Sequence, residues 1–155
     1  MIHGFYRPRV ETHSHVEVVR ASPTICFETL VDFTHYPDWF AMMHKAEIEE
    51  ADPAAGRWVV AYEINAIVRT IRYTLAYESR APHDLAWTLV RGDLKDIRGS
   101  YALAELEPGL TEVTCTQSLD IGLWVPGPLR RTFEQSALAD SVREFKKAAE
   151  ARASA

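Results

Sequence analysis

Two segments of the chain alternate between apolar and polar residues, and this period of two constrains the fold more than any other feature. The apolar side chains fall on every second position from Thr70 to Arg80, and the segment from Thr111 to Ile121 repeats the pattern. Successive side chains of a strand point to opposite faces of a sheet, so both segments predict antiparallel strands with one buried face. Gln117 is the exception, because it is a polar residue on the apolar face.

The same parity predicts an inner face that is rich in aromatic side chains and carries several hydroxyls. Its aromatic candidates are Tyr62, Tyr73, Trp87 and Tyr101. Aromatic residues on such a face fill a core as readily as they line a cavity, so each residue is a candidate for both roles. Gln117 is more informative, because a buried amide without a partner costs a few kcal/mol and must meet a protein group, a water or a ligand.

Two short helices are predicted between a first strand and the remaining strands. Ser22 is a typical N-cap residue, and Pro23 suits the first helical position of the first helix. Pro37 suits the first position of the second helix, with Tyr36 held in an extended conformation before it.

The last helix carries its apolar residues on two different sides. Leu129, Phe133 and Ala137 share one side, whereas Leu138, Val142, Phe145 and Ala149 share a face that is rotated by about 120–180° at the helical period. One straight helix cannot turn both sets toward the same core surface. The pattern predicts either a bend in the helix or a first half that meets something other than the sheet.

Four sequence pieces, in this order, resemble the START-like, helix-grip superfamily. They are Val31-Asp32 through Trp39, Trp87-Thr88-Leu89 followed by Gly92, Gly99 through Leu103, and Val125-Pro126-Gly127-Pro128-Leu129. The branch that they resemble most contains polyketide cyclases and dehydratases together with coenzyme-Q-binding START-like proteins. The resemblance implies one α+β domain over residues 1–155. A curved antiparallel sheet of about seven strands would wrap a long C-terminal helix, with two short helices after the first strand.

The resemblance also implies a ligand cavity between the sheet and the last helix. Its expected occupant is a hydrophobic small molecule that is lipid-, quinone- or polyketide-like, bound by a carrier or binding protein. The candidate ligand-binding residues are Tyr62, Tyr73, Trp87, Tyr101, Gln117, Leu129 and Phe133. The start of the last helix would lie near the cavity mouth, and the alternative for Leu129 and Phe133 is an oligomer contact.

Two further functions fit the same resemblance. A polyketide cyclase or dehydratase would use the same cavity, with Arg69 and Gln117 as weak catalytic candidates and Arg91 as a weaker one, because parity could turn these polar groups inward. A ribosome- or protein-associating module, similar to toxin relatives, would need an exposed apolar or basic patch, which the net charge of −5 disfavours.

Composition and spacing narrow the range of partners. A net charge of −5 argues against nucleic acid recognised by bulk charge, and the sequence has neither an apolar run that could span a bilayer nor a signal peptide, so a cytoplasmic location is expected. Cys26 and Cys115 are expected to be buried thiols without a disulfide. His13 and His15 share a face without a third ligand, and no phosphate-binding glycine pattern occurs, so neither a metal nor another cofactor is expected.

Overall fold

The structure is a computed structural model that describes residues 10–65, 69–122 and 127–155. Its described part contains seven strands and three α-helices. In chain order they are β1 (Thr12–Val19), α1 (Pro23–Val31), α2 (Tyr36–Trp39), β2 (Met43–Asp52), β3 (Arg57–Asn65), β4 (Thr70–Arg80), β5 (Asp84–Gly92), β6 (Asp96–Glu107), β7 (Leu110–Asp120) and α3 (Gly127–Ala153). Short 3-10 turns occupy Phe33–His35 and Pro53–Ala55. The sequence also predicts a hairpin between Ile64 and Arg69, where Asn65 is the only turn signal, and this prediction falls partly outside the described residues.

The strands form one antiparallel sheet in the order β1-β7-β6-β5-β4-β3-β2. Strands β2 to β7 therefore follow one another as a meander, whereas β1 crosses to the far edge and pairs with β7, with Val19 opposite Thr111. The sheet curves around α3, with α1 and α2 after the first strand. The α+β helix-grip fold that the sequence predicts is confirmed.

The core lies where α3 and the short helices meet the concave face of the sheet. The ring of Phe33 is fully buried and packs against Trp58 and Tyr77, with ring centroids 5.6 and 4.6 Å away. From α3, the fully buried ring of Phe145 meets Tyr101 at 5.1 Å. Tilted aromatic pairs at these distances add to the stabilisation that burial supplies.

Of the two predicted helix N-termini, that of α1 was predicted correctly and the conformation before α2 was not. The Ile25 N–H donates to Ser22 Oγ at 3.2 Å, which confirms the N-cap of α1. Tyr36, however, is helical, with φ −52° and ψ −39°, and the prediction of an extended Tyr36 was wrong. The reason is that the preceding 3-10 turn runs into α2: the Tyr36 N–H donates to the Phe33 carbonyl. The buried Tyr36 hydroxyl donates to the Leu30 carbonyl at 2.5 Å.

Helix α3 is held to β1 by polar contacts along its length. The ring nitrogens of His13 lie 3.1 Å from Glu134 Oε1 and 2.9 Å from Gln135 Oε1. Further along, Glu17 lies within ion-pair distance of Arg143 and Lys146. Because β1 is an edge strand, these contacts let α3 pack close to one side of the sheet while the other side of the concave face stays open.

Candidate functional site

A cavity of about 610 Å³ separates the concave face of the sheet from α3. Its walls come from the inner faces of β3 to β7, from the segment 39–43 after α2, and from one side of α3 between Phe133 and Lys147. Most of the lining side chains are aromatic or aliphatic. A volume of this size and an apolar wall with few polar groups are typical of small-molecule binding sites.

Two of the buried phenols in the wall are paired. The hydroxyls of Tyr62 and Tyr77 lie 2.6 Å apart, and the ring of Tyr36 stacks on Tyr62 at 5.9 Å. Burial raises the pKa of Tyr36, Tyr62, Tyr77 and Tyr101 above the ordinary phenol value. These hydroxyls are therefore protonated at neutral pH, and they act as hydrogen-bond donors and acceptors rather than as bases.

Tyr73 differs from the other cavity phenols. Its ring lies 5.5 Å from the ring of Tyr62, and it lines the cavity. Burial raises the pKa of Tyr73 as well. Among the described residues its hydroxyl has no hydrogen-bond partner within reach, in contrast to those of Tyr36, Tyr62 and Tyr77. This hydroxyl can therefore serve a polar atom inside the cavity.

Gln117 lies on the inner face of β7 and lines the cavity, as its position in the alternating pattern predicts. The indole N–H of Trp87 donates to Gln117 Oε1 at 3.2 Å. Trp87 lies opposite Gly99, and Gly99 lies opposite Gln117, so the indole reaches across a whole strand. Only a residue without a side chain leaves that path open, because a Cβ at Gly99 would lie 2.6 Å from Trp87 Cζ2.

Side chains of α3 that reach the surface form part of the cavity rim. Phe133 is 51% exposed and lines this rim, whereas charged side chains lie along α3 further on, at Asp140, Arg143, Glu144 and Lys147. The Ala41 N–H donates to the Glu144 carboxylate at 2.7 Å, which ties the segment after α2 to the helix. The wall is thus apolar inside and charged at its edge.

The remaining candidate residues lie away from the cavity wall. Leu129 is 65% exposed, and Arg69 is exposed just before β4. Arg91 points outward and pairs with Glu49 of β2 at 2.5 Å, so the inward orientation expected from parity was wrong. The physical reason is a β-bulge: Leu75 pairs with Leu89 and Thr74 with Arg91, so Val90 is an extra residue that reverses the parity.

Several wall residues were not selected from the sequence. Tyr36, Trp39 and Phe40 enter from the α2 corner, and Leu94 enters from the turn between β5 and β6. Loop and corner residues have no period that assigns them to a face. Tyr77 had a usable signal, because it shares the parity of Tyr73 in β4.

The cysteines and histidines serve structural contacts in the described residues. Cys26 and Cys115 are free and buried, as expected, and burial raises their thiol pKa to about 11 and about 12. A ring nitrogen of His15 forms a hydrogen bond with the Glu17 carboxylate at 2.6 Å.

Over residues 10–65, 69–122 and 127–155, no three metal-ligating side chains come together. Within the same ranges, no helix has the length and apolar character needed to cross a membrane.

The fold and the cavity together define a START-like protein, and comparison with known families makes this more specific. The family model for polyketide cyclase/dehydrase and lipid transport matches residues 9–152, so the chain belongs to this family. No curated protein sequence matches the chain.

Solved structures agree on the fold. The Zhui aromatase/cyclase from Streptomyces sp. R1128 is 18% identical with a TM-score of 0.80, and the match covers 93% of this chain and 96% of that chain. A START superfamily protein from Mycobacterium smegmatis is 18% identical with a TM-score of 0.75, covering 92% and 97%. The di-domain aromatase/cyclase BexL from the BE-7585A biosynthetic pathway is 15% identical with a TM-score of 0.70, covering 93% and 50%.

Proposed function

We propose that this protein binds a hydrophobic small molecule, lipid-, quinone- or polyketide-like, in the cavity between the sheet and α3, and that it acts as a binding or carrier protein. The observation that carries the proposal is the cavity of about 610 Å³ with an apolar wall and a few unpaired polar groups. A flat or elongated ligand with a few oxygens would bury its apolar surface against the aromatic rings. The family description includes lipid transport, which supports the same reading. A cytoplasmic location, in keeping with two free buried thiols, belongs to the proposal.

The titratable groups in and around the described cavity wall favour a carrier over an enzyme. General acid–base catalysis needs a group whose pKa lies near the working pH and within reach of the reacting atoms. The interior phenols have raised pKa values, and the carboxylates of Asp140 and Glu144 lie at the rim on α3. Arg69, the arginine expected to stabilise an oxyanion, is exposed outside the wall.

A cyclase or dehydratase acting in the same cavity is the second candidate. It is favoured by the hydroxyl of Tyr73 and the amide of Gln117, two groups that could polarise a ligand carbonyl. The structural similarity to an aromatase/cyclase also supports it. We expect incubation with poly-β-ketone mimics to give no product above the uncatalysed background. Turnover that disappears in Tyr73→Phe or Gln117→Leu while binding persists would replace the carrier with the cyclase.

A cavity-filling variant tests the binding function. Ala137 lines the cavity from α3, so Ala137→Trp would place a large ring in the ligand space. The matched control is Ala151→Trp, at an exposed position near the end of the same helix. With fluorene as the hydrophobic probe, followed by its fluorescence, we expect Ala137→Trp to lower the affinity by about tenfold or more, near the loss of a well-buried apolar contact. Equal fluorene affinity in both variants and the wild type would refute binding in this cavity.

A further inference from the structure

The hydrogen bond between Trp87 and Gln117 fixes which end of the amide faces the ligand. An indole N–H can only donate, so the atom of Gln117 that meets it at 3.2 Å must be the carbonyl oxygen. The amide NH₂ is then the end left over. It has no hydrogen-bond partner among the described residues, in a side chain that lines the cavity.

The path of the indole makes this orientation a built feature of the sheet. Trp87, Gly99 and Gln117 occupy one row across β5, β6 and β7. The side chain of Trp87 is buried and lies over Gly99, where a Cβ would approach both Trp87 Cζ2 and Trp87 Cε2 to within 2.7 Å. The absence of a side chain at Gly99 lets the indole lie there with its N–H toward Gln117, and the amide cannot turn over without losing this partner.

We infer that Trp87 and Gly99 are positioning residues that hold the Gln117 NH₂ toward the cavity, so that the site selects ligands with a hydrogen-bond acceptor at that point. The inference deepens the proposed function and depends on it. A carbonyl or quinone-type oxygen satisfies the NH₂ group, whereas a ligand N–H or an apolar edge placed there leaves it without a partner. An unpaired polar group in such a site lowers the affinity for the ligand, so the fixed amide favours ligands that carry an acceptor at this point.

Three tricyclic probes of nearly the same shape test the selection. Fluorenone carries a carbonyl, carbazole carries an N–H, and fluorene carries neither. We expect the wild-type protein to prefer fluorenone over fluorene by about fivefold, near the worth of one neutral hydrogen bond. Gln117→Leu should abolish this preference and leave the fluorene affinity within about twofold.

A test of the positioning role requires a variant that frees the Gln117 amide without removing it. Trp87→Phe keeps an aromatic ring over Gly99 but has no N–H, so Gln117 can present its oxygen to the cavity. We expect the carbazole-to-fluorenone affinity ratio to rise about threefold or more in Trp87→Phe, with fluorene as the reference for any change in packing. A purely structural Trp87 would change the affinities of the three probes by the same factor.

The outcomes separate this inference from the proposed function. Equal binding of fluorenone and fluorene by the wild type, or a fluorenone preference that survives Gln117→Leu, would overturn the inference and leave cavity binding intact. If none of the three probes binds the wild type, the proposed function fails together with the inference. Urea midpoints of both variants confirm that the titrated protein is folded.

Discussion

The two halves of α3 differ in how deeply their apolar side chains are buried. Leu138, Val142, Phe145 and Ala149 are buried against the concave face, and Phe145 reaches the aromatic core. Leu129 and Phe133 are 65% and 51% exposed. The second half of the helix therefore anchors the fold with its buried apolar residues, whereas Phe133 in the first half lines the cavity with about half of its side chain exposed. A single helix can thus pack against the core and also line a binding site when its apolar face rotates along its length.

Alkaline titration gives the largest expected effect, because it reaches every buried phenol at once. Burial raises the pKa of five tyrosines, Tyr36, Tyr62, Tyr73, Tyr77 and Tyr101. Above about pH 10 the unfolded chain releases these protons and the folded chain keeps them, so the free energy of unfolding falls by about 1.4 kcal/mol per pH unit for each phenol. Below that pH this contribution to stability is fully present.

Absorbance at 295 nm follows this ionisation, and Tyr6→Phe restricts the signal to the five described phenols. We expect the absorbance to rise in one cooperative step that coincides with the loss of near-ultraviolet circular dichroism. If Tyr73 ionised well before unfolding, solvent would reach its hydroxyl more readily than its burial in the structure indicates.

Truncation of one phenylalanine in each half of α3 tests the comparison directly. Phe145→Ala should lower the free energy of unfolding by about 3–5 kcal/mol, because it empties a fully buried site. Phe133→Ala should change it by no more than about 0.5 kcal/mol, since half of the side chain is already exposed. Urea denaturation measures both values. Similar losses in the two variants would contradict the division of the helix.

Removal of single hydroxyls separates paired from unpaired phenols. Tyr77→Phe leaves the buried Tyr62 hydroxyl without its partner, so we expect a loss of about 1–3 kcal/mol in unfolding free energy. Tyr73→Phe should leave stability within about 0.5 kcal/mol. Urea denaturation measures both changes in unfolding free energy. Losses of equal size would show that the Tyr73 hydroxyl has a structural partner.

The smallest effect is expected on the outer face of the sheet. Arg91 pairs with Glu49 there, and both side chains are partly exposed. Arg91→Ala should therefore lower stability by no more than about 1 kcal/mol and leave fluorene binding unchanged. A marked loss of probe affinity in this variant would mean that the arginine reaches the cavity after all.

The sequence predicted the elements that have a clear period or cap. The alternation in β4 and β7, the Ser22 cap and the rotated apolar face of α3 all correspond to local physical rules, and each is visible in the structure. The family resemblance implied the helix-grip fold, and the parity of β4 and β7 placed Tyr73 and Gln117 in the cavity wall.

What the sequence could not predict depends on three-dimensional contacts. The bulge at Val90 reverses the parity of Arg91, yet no residue type marks it. The helical conformation of Tyr36 follows from a turn that continues into α2 and from its bond to the Leu30 carbonyl. The pairing of the Tyr62 and Tyr77 hydroxyls joins residues that are not opposite one another in the register, so only the packed structure shows it.

The position of β1 at the far edge of the sheet has a consequence for folding kinetics. Its register partners in β7 are about 100 residues away in sequence, whereas β2 to β7 pair with their immediate neighbours. Closing so long a loop carries a large entropic barrier, and non-local pairing slows folding. We expect the meander to form first and the β1–β7 ladder late, after β7 has left the ribosome. A nascent chain would then expose the edge of β7 that faces away from β6 until its own first strand returned to cover it.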